Sequence, residues 1–66
     1  MNMHKDPWDR QGVIVADHWS EGGGYEIFKH EEKFYLYEIP QYGGDPRDSG
    51  IFDTLEDAIK EGKTFT

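Results

Sequence analysis

The chain has no cysteine. Disulfide staples, thiolate metal sites and cysteine nucleophiles are thereby excluded. It also lacks any long apolar run: the apolar fraction is 35%, and the longest uninterrupted stretches, Val13–Ala16 and Phe34–Tyr37, are four residues each. A bilayer-spanning helix needs about 20 such residues, and the segment Met1–Arg10 holds no apolar core of a secretion signal, so the expectation is a cytoplasmic protein. Bases are scarce as well. Seven Lys and Arg face 14 Asp and Glu, for a net charge of −7. Such a field repels phosphate backbones and anionic lipid, which disfavours nonspecific binding to nucleic acid or membrane and favours a basic partner. The same excess of acid also keeps a small protein soluble.

What the chain does have is rings. Two tryptophans, four tyrosines and four phenylalanines stand among 66 residues, and each ring buries a large area for one residue. The length allows one domain near the lower limit for folding without staples. Val13, Ile14, Val15, Tyr25, Ile27, Phe28, Phe34, Leu36, Ile39, Phe52, Leu55, Ala58 and Ile59 form the expected core. That suffices for a small sheet and one helix, and is too little to wall off a deep substrate pocket.

Residues 1–10 are polar, contain Pro7, and read as a flexible N-terminal arm with Trp8 as an anchor onto the body; residues 11–66 read as a single small α+β domain. Gly12–Trp19 is a β-branched strand whose continuous apolar run implies cover on both faces. The glycines of Ser20–Gly24 suit a turn. Tyr25–Lys29 and Phe34–Pro40 are two further strands, joined by a four-residue loop, His30–Lys33, because Glu31-Glu32 lacks the asparagine or glycine that a two-residue turn favours. This places Lys29 opposite Phe34, Phe28 opposite Tyr35, Ile27 opposite Leu36 and Glu26 opposite Tyr37. Gln41–Gly50 reads as a polar loop. In the segment that follows, Thr54 is an N-cap, Leu55, Ala58 and Ile59 form an apolar stripe at i, i+3 and i+4, and Gly62 is a C′ residue. The fold expected is α+β: a three-stranded antiparallel meander with one short C-terminal helix packed on one face.

One helix covers one face. Assigned to the Ile27/Leu36 side, it leaves Phe28, Tyr35, Tyr37 and Ile39 uncovered. The candidates to cover it are the N-terminal arm with Trp8 and the loops folding back, a second copy of the chain, or a different protein; exposed rings of this kind mark contact surfaces, and tyrosine is well suited to them.

Catalytic constellations are not evident. Ser20 and Ser49 lie in glycine-rich turns with no oriented base. His4, His18 and His30 share no ligand spacing, and Asp45–Gly50 lacks a calcium-loop pattern. No metal, cofactor or catalytic residue is expected, and the chain reads as no enzyme. The helix is more informative. Asp53, Asp57 and Glu61 repeat at i, i+4 and i+8 with no base among them, which costs a few tenths of a kcal/mol. The helix dipole offsets that cost at Asp53 and Asp57 but not at Glu61, so the stripe reads either as a solvated face or as a contact for a partner.

The tail Gly50–Gly62, GIFDTLEDAIKEG, after an aromatic hairpin resembles the strand–F-x-T-L-E-E-A–helix ending of many short bacterial and phage proteins. In composition the chain resembles small acidic phage or mobile-element inhibitors of the anti-CRISPR and DNA-mimic type. That resemblance implies carboxylates that imitate phosphates and occupy a basic nucleic-acid channel, and residence in the host cytoplasm. The function expected is a non-enzymatic acidic interaction protein that binds a basic surface of another protein, such as a nucleic-acid-binding protein, without touching nucleic acid itself. Its contacts would be Glu31, Glu32, Asp53, Glu56, Asp57 and Glu61, with Tyr35 and Tyr37 as apolar anchors. The alternative is a structural or regulatory homodimer formed through the aromatic sheet face.

Overall fold

A computed structural model describes residues 10–42 and 44–65. Four strands form one antiparallel meander in the order β1 (Val13–Ser20), β2 (Gly23–His30), β3 (Lys33–Ile39) and β4 (Arg47–Phe52), followed by helix α1 (Leu55–Gly62) and a 3₁₀ turn (Lys63–Phe65). The α+β class and the C-terminal helix match the expectation; the sheet has four strands and not three. The fourth comes from the stretch read as a polar loop. Asp48, Ser49 and Gly50 favour turns in isolation, but the outer edge of β3 offers them a ladder, and strand formation depends heavily on such context. A bulge at Ser49, between Gly50 opposite Leu36 and Asp48 opposite Tyr37, accommodates the misfit.

The β2–β3 register is the expected one: Lys29 pairs Phe34, Phe28 pairs Tyr35, Ile27 pairs Leu36 and Glu26 pairs Tyr37. The connection is shorter than expected. His30 pairs directly with Lys33, so Glu31 and Glu32 alone make the turn, with φ of 51° and 68°. Two central residues at positive φ match the right-handed strand twist, which here overrides the poor fit of glutamate to that conformation.

Helix α1 lies over β2, β3 and β4. Tyr25, Ile27, Leu36 and Ala58 form its buried core, flanked by Ala16, Phe34, Phe52, Leu55, Ile59 and Phe65. Thr54 caps the helix, its Oγ1 accepting from the Asp57 amide at 3.1 Å. Gly62 is not the C′ residue. It is the last helical position, and the chain continues through Lys63 at φ −64° into the 3₁₀ turn. Its glycine answers to packing: a Cβ there would lie 2.8 Å from Cγ of Tyr25.

Two core expectations fail at β1. This is the edge strand that the helix, seated over β2, β3 and β4, does not reach, and its Ile14 faces away from the helix altogether. Val13, Ile14 and Val15 are exposed, Val13 by 65%. The unbroken apolar run has another cause. A bulge at Val15, between Ile14 opposite Phe28 and Ala16 opposite Ile27, shifts the alternation by one residue.

Candidate protein-binding surfaces

The register orders the side chains of the sheet face away from the helix into cross-strand rows, because directly paired residues project to the same side. One row is Ile14, Phe28, Tyr35 and Ile51; the next is Asp17, Glu26, Tyr37 and Asp48. An apolar row thus lies beside an acidic one. Arg10 bridges them. Its Nη1 donates to Oε1 of Glu26 at 2.6 Å, and its guanidinium carbon stands 4.3 Å from the Phe28 ring centre and 5.0 Å from that of Tyr37. Phe28 and Tyr37 meet edge to face, with centres 5.8 Å apart. The Arg10 and Glu26 side chains are only 7% and 17% exposed. A desolvated cation over two rings is worth about 1–2 kcal/mol, and the close carboxylate adds a charge-assisted hydrogen bond.

This arrangement corrects the expectation of an uncovered face. Phe28 and Ile39 are each only 6% exposed, and Tyr35 and Tyr37 are half-buried. Arg10, assigned from sequence to the flexible arm 1–10, docks on the sheet. Trp8 and the rest of that segment, residues 1–9, lie outside the described residues. Beside Arg10 a groove of about 250 Å³ opens between Tyr35, Tyr37, His30, Pro46 and Asp48.

A second surface forms at the β2–β3 turn. Phe52 pairs Phe34, so Asp53 emerges beside Lys33, and Lys33 Nζ donates to Oδ1 of Asp53. That hydrogen bond, and behind it the charge of the lysine, holds the Asp53 carboxyl below its ordinary range, and the same bond with the carboxylate charge raises the Lys33 ammonium above its own. The stripe Asp53–Asp57–Glu61 is therefore not without a base: the hairpin supplies one that helix spacing cannot reveal. The link brings Glu31 and Glu32 to the same end of the molecule as Asp53, Glu56 and Asp57, all exposed. Glu61 stands at the far end of α1, next to Gly62 on Tyr25. Tyr35 and Tyr37 project from the sheet face opposite the helix. The expected contacts thus divide into an acidic end, a lone Glu61 and a ring-bearing face.

Arg10, Asp17, Glu26 and Asp48 were not among the residues singled out from sequence. The pairing of Glu26 with Tyr37 was legible, but the bulges at Val15 and Ser49 set which residues of β1 and β4 join that row, and no local pattern announces the docking of Arg10. Among the described residues, no group of three or more His, Asp or Glu converges as a metal site, and no helix is long and apolar enough to cross a membrane. No protein-family model matches the chain, and neither a curated protein nor a solved structure matches it significantly.

Proposed function

We propose that this chain is a non-enzymatic interaction protein that binds a basic surface on another protein and inhibits or modulates it, with the acidic end as its first point of contact. One observation carries this reading. The β2–β3 turn needs two residues at positive φ, and the chain places Glu31 and Glu32 there, at 51° and 68°. Left-handed backbone costs a non-glycine residue about 1–2 kcal/mol, and Asn-Gly would make the same turn without it. Backbone strain of this kind gathers where function needs a particular side chain. Here it holds two carboxylates at an exposed tip, and the Lys33–Asp53 contact ties the start of the helix segment, with exposed Glu56 and Asp57, to the strand that leaves that tip. A nucleic-acid-binding protein is the partner class that fits, since a surface made for phosphates is basic and accepts clustered carboxylates. The homodimer reading has less to work with, because Phe28 and Ile39 are already buried.

The test separates placement from bulk charge. Glu31→Gln/Glu32→Gln and Glu21→Gln/Glu38→Gln each remove two carboxylates and leave the backbone alone. Each variant is immobilised and challenged with a lysine- and arginine-rich peptide at low and high salt. The tip variant is expected to bind at least about tenfold more weakly than the other at low salt, a difference of roughly 1.4 kcal/mol. Equal losses would reduce the effect to net charge and overturn the assignment of the tip.

A further inference from the structure

Arg10 does more than cover a ring. We propose that Glu26, Phe28 and Tyr37 form a receptor site for an arginine side chain of a basic partner, and that Arg10 is its intramolecular occupant. The inference rests on the reading of a basic partner and names both the side chain recognised and the face that recognises it.

The cradle is built on the two central strands, where ladders on both sides fix its side chains. Its occupant comes from outside the sheet. The chain turns back onto β2 at Gly12, with φ +90°, where a Cβ would meet the Lys29 carbonyl oxygen at 2.1 Å. Receptor and occupant are thus separate pieces, joined by a short tether.

The chemistry selects arginine. A planar guanidinium stacks on rings with its faces while its edge donates to a carboxylate; an ammonium does not do both. Arg10 performs the two together, 4.3 Å from Phe28, 5.0 Å from Tyr37 and 2.6 Å from Glu26. Among the described residues, this row of the sheet carries more negative charge than Arg10 balances. Asp17 lies directly opposite Glu26, and Asp48 directly opposite Tyr37. Like charges directly opposite each other across strands are unfavourable, and the row sets three carboxylates against one guanidinium. The groove past Tyr35 and Asp48, about 250 Å³, gives an incoming side chain its approach. Ile14 and Ile51, both exposed at the ends of the neighbouring row, offer apolar contact to flanking residues. An arginine-bearing segment with apolar neighbours fits this face. A second copy, itself at −7, does not.

A tethered occupant competes at an effective concentration in the millimolar range, so weakening it should tighten binding. The experiment is an NMR titration of the full chain with a blocked peptide of alternating leucine and arginine, and with its lysine twin. The arginine peptide is expected to move the Glu26, Phe28 and Tyr37 signals and the Nε–H of Arg10, and the lysine twin to leave them in place. Arg10→Ala is expected to bind about tenfold more tightly, by removal of the competitor. Should that variant unfold once Phe28 is bared, Arg10→Lys keeps the stem and the charge, loses the fork, and is expected to bind several-fold more tightly. Signals that move only at Glu31, Glu32, Asp53, Glu56 and Asp57 would overturn the cradle and leave the basic-partner reading standing. No movement anywhere would overturn both. Equal affinity in the parent chain and the folded Arg10 variants would overturn the role of Arg10 as occupant.

Discussion

Replacing Gly62 by alanine tests the packing that orients both surfaces. Gly62 is buried at the end of α1, and a Cβ there would lie 2.8, 2.9 and 3.0 Å from Cγ, Cδ2 and Cδ1 of Tyr25. Carbon atoms in contact prefer about 3.5–4.0 Å, so the methyl group needs roughly 1 Å more room. The ring cannot provide it. Those three atoms are its root, held close to the backbone of β2, and Tyr25 is 6% exposed, with His18 stacked on it at 5.9 Å. The helix end must lift instead. Overpacking of this kind costs about 1–3 kcal/mol, and the better helix propensity of alanine returns at most about 1 kcal/mol. The expected net loss is about 1–2 kcal/mol, out of a total of about 3–10 kcal/mol for a chain this size. Each kcal/mol lowers Tm by about 4–8 °C. Urea denaturation and thermal melting followed by circular dichroism measure both quantities. Gly22→Ala is the control: its Cβ meets nothing within 4 Å, and its effect should stay within about 0.5 kcal/mol. A Gly62→Ala protein as stable as the parent would refute the seating of the helix on Tyr25, and with it the division of the sheet into a covered and a binding face.

Two further outcomes concern the acidic end. Glu31→Asn/Glu32→Gly supplies the residues the turn favours and should stabilise the hairpin by about 1–2 kcal/mol while weakening capture of a basic peptide; a variant no more stable than the parent in urea would remove the argument from strain. The Lys33–Asp53 contact sets a pH dependence of known sign. Because the Asp53 carboxyl is lowered, its contribution is present above the ordinary carboxylate range and is lost as pH falls through the lowered value, that is, below about pH 4. Because the Lys33 ammonium is raised, its contribution is present at neutral pH and is lost only as pH climbs past the ordinary lysine range, above about pH 10. Lys33→Met should therefore move the Asp53 titration midpoint, read by NMR, upward; an unmoved midpoint would show that the pair does not form in solution.

Local chemistry was enough for much of this molecule. The acid-rich connection between Tyr25–Lys29 and Phe34–Ile39 marks the hairpin and predicts the central register, which holds although the turn is two residues and not four. The stripe Leu55, Ala58 and Ile59 behind Thr54 predicts the helix and the face it buries. Tertiary structure decided the rest, where non-local partners outweigh local preference. Arg47–Phe52 became a strand because β3 had an open edge, and Glu31-Glu32 became a two-residue turn because the strands on either side twist that way. Val13 lies exposed because the helix packs over β2, β3 and β4 and stops short of β1, and Ile14 because it stands at the edge of the opposite face. Arg10, distant in sequence from Glu26, Phe28 and Tyr37, finds them only once the sheet has formed, since cation, carboxylate and ring attract one another strongly only where water has been excluded.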